Sequence, residues 1–73
     1  MEIQIVIHNM HEPVKTIVRC CNDARDINET VYDVLTKHGI NDDIAIDCAS
    51  WCEIATYGES YNMKNFDVYI GEF

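Results

Sequence analysis

The chain has 73 residues, with 13 Asp and Glu against five Lys and Arg, a formal net charge of −8 and a pI near 4.5. This charge repels nucleic acid and anionic membranes and favours cationic partners, either proteins or metal ions. A hydrophobic content of 48% with few Gly and Pro excludes a disordered composition. The length predicts a single domain, 1–73, with a modest core. Net charge of this size is also typical of a soluble small domain, so a binding role needs further argument.

The N-terminal segment alternates apolar and polar residues and lacks the basic start and apolar block of a secretory signal. No run approaches the roughly 18 apolar residues of a membrane span. We therefore expect a cytoplasmic protein whose cysteines remain thiols. Disulfides are an alternative that the lack of an export signal disfavours, and zinc is one that the poor spacing disfavours. The four cysteines are Cys20, Cys21, Cys48 and Cys52.

The first predicted element is a β-hairpin. Ile3, Ile5 and Ile7 alternate with other residues at the period of a strand. After Pro13, the β-branched run 14–20 predicts a second strand. A loop of about five residues would join them in an antiparallel pair.

A helix is predicted next, from the segment 26–29 to Gly39. Asn28 is the expected N-cap, with Asp26 as an alternative, and Gly39 is the expected residue after the C-cap. The apolar spacing predicts one buried stripe, which consists of Ile27, Val31, Val34 or Leu35, and His38.

The second half predicts a strand, a short helix and a closing hairpin. Residues 41–43 form a polar turn before a strand at 44–48, and Ser50 with Glu53 fits a capping box for a helix that stops near Gly58. The hairpin follows at 59–63 and 66–70. The predicted class is α+β, with a small antiparallel or mixed sheet, one longer and one short helix, and the order ββαβαββ. Because the last strand runs to the end of the sequence, we expect an edge strand that could form a homodimer.

The C-terminal third of the chain resembles part of a known group of small proteins. The segment SWCEIA at 50–55, then Gly58-Glu59-x-Tyr61 and Phe66-x-Val68-x-Ile70, resembles the helix-then-hairpin ending of small proteins from phages and other bacterial mobile elements. Small acidic proteins of this kind include anti-CRISPR and antirestriction inhibitors, many of which imitate nucleic acid or block its binding channel. The resemblance implies a bacterial host cell as the setting and assigns no residue a role.

Most of the acidity lies between residues 23 and 47, where only Arg25 and Lys37 interrupt it. On a helix, Glu29 and Asp33 lie one turn apart, with Asp26 one turn earlier, and we expect these three to form an acidic row that no local group compensates. The alternative is the solvated side of a helix and two turns. The candidate partner-binding residues are Asp23, Asp26, Glu29, Asp33, Asp42, Asp43 and Asp47.

Enzyme and metal interpretations are weaker. Cys20 or Cys21 with His8 or His11 could form a thiolate and base, but no nucleophile motif surrounds them. The carboxylates at 42, 43 and 47 do not fit a calcium loop. We therefore expect no enzyme activity, cofactor or metal.

The functional hypothesis is a phage-encoded inhibitor of the anti-CRISPR type, a DNA mimic whose acidic face binds a basic surface of a nucleic-acid-handling host protein. It predicts no direct contact with nucleic acid or membrane. The alternative is a self-assembling or protein-interaction module of mobile-element origin in which the acidity serves solubility alone.

Overall fold

The computed structural model describes residues 1–71 and confirms the α+β class. Its element order is ββααββ, and the elements are β1 Glu2–Ile7, β2 Lys15–Cys20, α1 Ala24–Lys37, α2 Asp42–Ile54, β3 Ser60–Asn62 and β4 Phe66–Gly71. The strands form one antiparallel sheet, and both helices pack on the same face of it. Within residues 1–71, no helix is long and apolar enough to cross a membrane.

The sheet has the strand order β2-β1-β4-β3, so β1 and β4 are its two central strands. In their antiparallel register, Ile5 lies opposite Val68, and directly opposite residues share a face of the sheet. The alternate residues of both strands are therefore buried under the helices. These six residues are at most 3% exposed, and they are Ile3, Ile5, Ile7, Phe66, Val68 and Ile70.

Both predicted hairpins are confirmed, but the position of the last strand differs from the prediction. β1 pairs with β2, and β3 pairs with β4. The expectation that the terminal strand lies at an edge is wrong for residues 66–71, because β4 pairs on both sides. The edges are β2 and β3, and the predicted end of the last strand at residues 72 and 73 lies outside the described residues.

Helix α1 has the predicted stripe except for His38, which is the half-buried C-cap residue, and it begins earlier than predicted. Asp23 has an extended backbone, and its Oδ1 accepts a hydrogen bond from the Asp26 N–H at 2.8 Å. Asp23 is thus the N-cap, and the predicted caps Asn28 and Asp26 are wrong because they lie inside the helix. The left-handed backbone of Gly39, with φ of +83°, suits its predicted place after the helix. The buried residues of α1 are Ile27, Val31, Val34 and Leu35.

The predicted strand at 44–48 is wrong, because these residues belong to helix α2. Asn41 is the N-cap and accepts from the Asp43 N–H at 2.9 Å, while Asp42 and Asp43 suit the positive end of the helix dipole. The predicted capping box at Ser50 is also wrong, since that residue lies within the helix. α2 ends at Ile54, four residues before Gly58.

All four cysteines are free thiols, and three of them are buried in the core. Cys48 and Cys52 lie one turn apart on α2, where a hydrogen bond between the two thiols and burial raise the pKa of Cys48 well above its usual range. Burial also raises the pKa of Cys21. Cys20, at the end of β2, is exposed.

The Asp23 cap leads to a stability prediction. Asp23→Ala removes the acceptor for the Asp26 N–H and should lower the free energy of unfolding by about 1 kcal/mol. Asp23→Asn keeps an acceptor and should remain close to wild type. Urea unfolding followed by circular dichroism measures both. Equal loss in the two variants would contradict the cap assignment.

The difference in cysteine burial leads to a second prediction. In the native protein, a thiol reagent such as Ellman's should modify one cysteine per chain rapidly, because the other three are buried. All four should react in guanidinium chloride. The matched variant Cys20→Ser should remove the rapid phase and leave the fold intact. A rapid phase that survives in this variant would contradict the burial of the core thiols.

Candidate functional site

The structure places all seven predicted carboxylates on the helices or on the N-cap of α1. Four of them lie on α1 or its N-cap, and they are Asp23, Asp26, Glu29 and Asp33. The other three, at 42, 43 and 47, belong to α2. Six of the seven are exposed, and Asp26 is half-buried. We define the acidic helical face as the six of them within the helices, Asp26, Glu29, Asp33, Asp42, Asp43 and Asp47.

Two members of the acidic row on α1 have cationic neighbours one turn away. Arg25 Nε lies 3.2 Å from Glu29 Oε1, and Lys37 Nζ lies 3.1 Å from Asp33 Oδ2. The expectation that no local group compensates the row is therefore wrong. Because all four side chains are at least 60% exposed, solvent screens these pairs, and each contributes little stability. A cationic partner could displace Arg25 and Lys37 at small cost.

Asp23 and Asp26 have structural roles at the beginning of α1. Asp23 caps the helix, and Asp26 Oδ2 accepts a hydrogen bond from the Asn22 N–H at 2.9 Å. The first bond satisfies a backbone donor that the helix end leaves unpaired, and the second holds the residue that precedes the cap. Both carboxylates already have a structural role at the helix end, so they are the weakest candidates for partner binding in the predicted set.

Asp42 joins the two helices. The Tyr32 hydroxyl donates to Asp42 Oδ1 at 2.5 Å, and this bond raises the pKa of Tyr32. The bond links the middle of α1 to the first turn of α2, and the two helices form one layer on the sheet. It also gives Asp42 a local role.

The outer side of α2 contains the residues that the sequence interpretation missed. Asp43 and Asp47 are one helical turn apart and exposed, and no side chain within residues 1–71 forms an ion pair with either. On the same helix, Ile46 is 47% exposed and Ile54, its last residue, is 79% exposed. The helix therefore has apolar residues on its solvent side as well as on its core side, which is the pattern of a helix covered on both sides. Reading residues 42–54 at helical spacing would have found this surface.

A groove of about 700 Å³ runs between α1 and β2. Ile17 and Arg19 of β2 lie on one side of it, and Asp26, Asp33 and Lys37 of α1 lie on the other. Arg19 is exposed and has no carboxylate within ion-pair distance in the described part of the chain. The groove thus combines an apolar strand residue with charges of both signs.

The remaining titratable groups are dispersed. His8 Nε2 lies 2.9 Å from Asp67 Oδ2 on the sheet face away from the helices, and Cys21 is buried on the other side. Neither histidine considered as a base for a cysteine, His8 or His11, is shown in contact with Cys20 or Cys21. Among residues 1–71, no group of three or more His, Cys, Asp or Glu side chains could hold a metal ion.

In comparisons with protein-family models, with curated proteins and with solved structures, nothing matches this chain. Its function is therefore inferred from its own residues.

Proposed function

We propose that this protein is a non-enzymatic inhibitor whose acidic helical face binds a basic, nucleic-acid-binding surface of a host defence protein. The observation that carries the proposal is the distribution of charge. The two helices with the Asp23 cap contain eight carboxylates and two cations, which is most of the net charge of −8. Such a surface attracts a channel rich in Lys and Arg and accelerates association with it.

The geometry of the rows supports imitation of a phosphate backbone. Carboxylates at i and i+4, such as Glu29 with Asp33 and Asp43 with Asp47, lie about 5 to 6 Å apart at Cβ. The axes of neighbouring packed helices lie about 8 to 10 Å apart, and each of the two helices carries its own row. Each DNA strand carries one charge per about 3.4 Å, and each row presents charges at a comparable scale on a rigid helix.

The phage setting comes from the resemblance of the C-terminal third, and the concrete form of the proposal is an anti-CRISPR inhibitor. It would act by occupying the DNA or RNA channel of the target in a bacterial host cell, without chemistry and without a cofactor. The acidic face would exclude nucleic acid by charge competition, since both ligands need the same Lys and Arg residues.

A second candidate is a protein-interaction module whose acidity serves solubility alone. The exposed Ile46 and Ile54 favour it, because two large apolar side chains on one helix face can anchor a partner. The two candidates differ in what the contact requires. The inhibitor depends on the carboxylates, and the module depends on the isoleucines.

Charge reversal on the helices tests the inhibitor. Glu29→Lys with Asp47→Lys changes two exposed positions beyond the first turns, so the caps and the Tyr32–Asp42 bond remain. We expect at least about tenfold weaker inhibition, near 1.4 kcal/mol of binding free energy, because like charges then face the basic channel. The assay measures target-DNA binding by guide-loaded CRISPR nucleases of several types, using fluorescence anisotropy.

The matched control is Glu2→Lys with Glu12→Lys, which makes the same change of charge at positions outside the two helices. It should retain inhibition within about threefold if the location of charge matters more than its total. Direct binding to the nuclease should also weaken between about 0.15 M and about 1 M salt, as the Debye length falls from about 8 to about 3 Å. Inhibition that is equal in the two variants, or absent for every nuclease, would contradict the proposal.

A further inference from the structure

The strand β2 is the longer of the two edges of the sheet. It has six residues, of which five are exposed and Ile17 is half-buried. The opposite edge, β3, has three residues, and short edge strands are a common protection against unwanted pairing. β2 therefore offers the longer free row of backbone hydrogen-bonding groups within residues 1–71.

The hydrogen bonds identify which groups of β2 point outward. The Cys21 N–H donates to the Met1 carbonyl oxygen at 2.8 Å, so Met1 and Cys21 form a hydrogen-bonded pair at the end of the β1–β2 ladder. Such pairs alternate along an antiparallel ladder, which places the backbone groups of Lys15, Ile17 and Arg19 against β1. The N–H and C=O groups of the three intervening residues face away from the sheet. These residues are Thr16, Val18 and Cys20.

One side-chain contact agrees with this assignment. Arg19 Nη1 donates to the Val18 carbonyl oxygen at 3.1 Å, so that carbonyl is accessible outside the ladder. Val18 itself is 41% exposed on the sheet face away from the helices. The edge thus presents both free backbone groups and an apolar β-branched side chain.

We propose that β2 of a second copy of this chain pairs antiparallel with β2 about a two-fold axis at Val18. In this register, Val18 lies opposite Val18 of the second copy, and Thr16 lies opposite Cys20 of the second copy. All three outward-facing residues then form hydrogen-bonded pairs. The two sheets become one continuous sheet, with both helical layers on the same side.

Repulsion between like charges disfavours the two registers in which the axis lies one residue away from Val18. An axis at Ile17 would place Lys15 directly opposite Arg19 of the second copy, and like charges in that position are destabilising. An axis at Arg19 would bring the two arginines together. The axis at Val18 instead places Arg19 of the second copy opposite Ile17 and joins two β-branched side chains on the other face.

The groove between α1 and β2 provides charge complementarity for the second copy. Ile17 lies in this groove, which Asp26 and Asp33 border from α1. A cation opposite Ile17 is therefore brought beside an acidic helix, and the symmetry repeats the contact. The pairing does not depend on the proposed inhibition, and it would leave the α2 members of the acidic helical face exposed.

The mass in solution tests the pairing. By light scattering at high micromolar concentration, wild type should have twice the chain mass of 8.4 kDa. Val18→Pro removes an N–H that points away from β1, so it should leave the sheet intact and reduce the mass to that of one chain. Val18→Thr keeps the N–H and should retain the doubled mass.

Cross-linking tests the register without requiring the proline variant to fold. Under mild oxidation, Thr16→Cys should form a disulfide with Cys20 of the second copy, because hydrogen-bonded pairs have Cα atoms about 5.5 Å apart. Thr16→Cys with Cys20→Ser should not cross-link through this pair. Val14→Cys is the register control, since it faces Cys20 of the second copy only if the axis is at Ile17.

The outcomes are distinct. Covalent dimer from Thr16→Cys, with little from wild type or Val14→Cys, supports the proposed register. A wild-type mass of one chain would overturn the pairing, and with it the assignment of β2 to a second copy. Cross-linking that is stronger for Val14→Cys than for Thr16→Cys would overturn the axis at Val18. In each case, inhibition by the wild-type protein is measured separately, so failure of one proposal does not decide the other.

Discussion

The fold depends on the pairing of β1 with β4, because these strands supply the buried face on which both helices pack. Ile5 and Val68 lie opposite each other at the centre of this pair and are fully buried. Burial of each such side chain contributes about 1.5 to 3 kcal/mol, and in a chain of 73 residues the core is small enough that each contribution matters. The pairing joins residues near the two ends of the described chain. It also leaves β2 and β3 as the edges.

This constraint determines where the two proposed surfaces lie. The helices shield one face of the sheet and carry most of the charge on their outer sides, while β2 projects beyond α1 at one edge. The proposed acidic surface therefore extends over both helices, and the proposed pairing strand meets it at the groove, where Asp26 and Asp33 lie across from β2. Their coexistence follows from a two-layer architecture whose helices leave one long edge strand uncovered.

The sequence pattern predicted the elements whose apolar residues have one clear period. The prediction failed where the apolar spacing fits both a strand and a helix. The isoleucines of β1 alternate strictly, and Ile27 and Val31 of α1 recur at helical spacing, so both elements were found. In residues 44–48, the isoleucines at 44 and 46 fit a strand as well as a helix. Helical burial of Ala45 and Cys48 depends on packing against α1, which a local pattern does not reveal. The error hid the outer side of α2, although its carboxylates were among the candidate residues.

The acidic surface could serve partner binding or solubility alone. The positions of charged and apolar residues on the helices distinguish these two explanations more clearly than the net charge does. Solubility requires charge but no particular position for it, and it disfavours exposed apolar side chains. On α2, Ile46 and Ile54 are exposed, as are Asp43 and Asp47. A solubilising surface would gain from polar residues at the two isoleucine positions, whereas a protein interface combines apolar anchors with surrounding charge. The outer side of α2 therefore has the composition of an interface, and under the proposed function its acidic residues would favour partners with cationic surfaces.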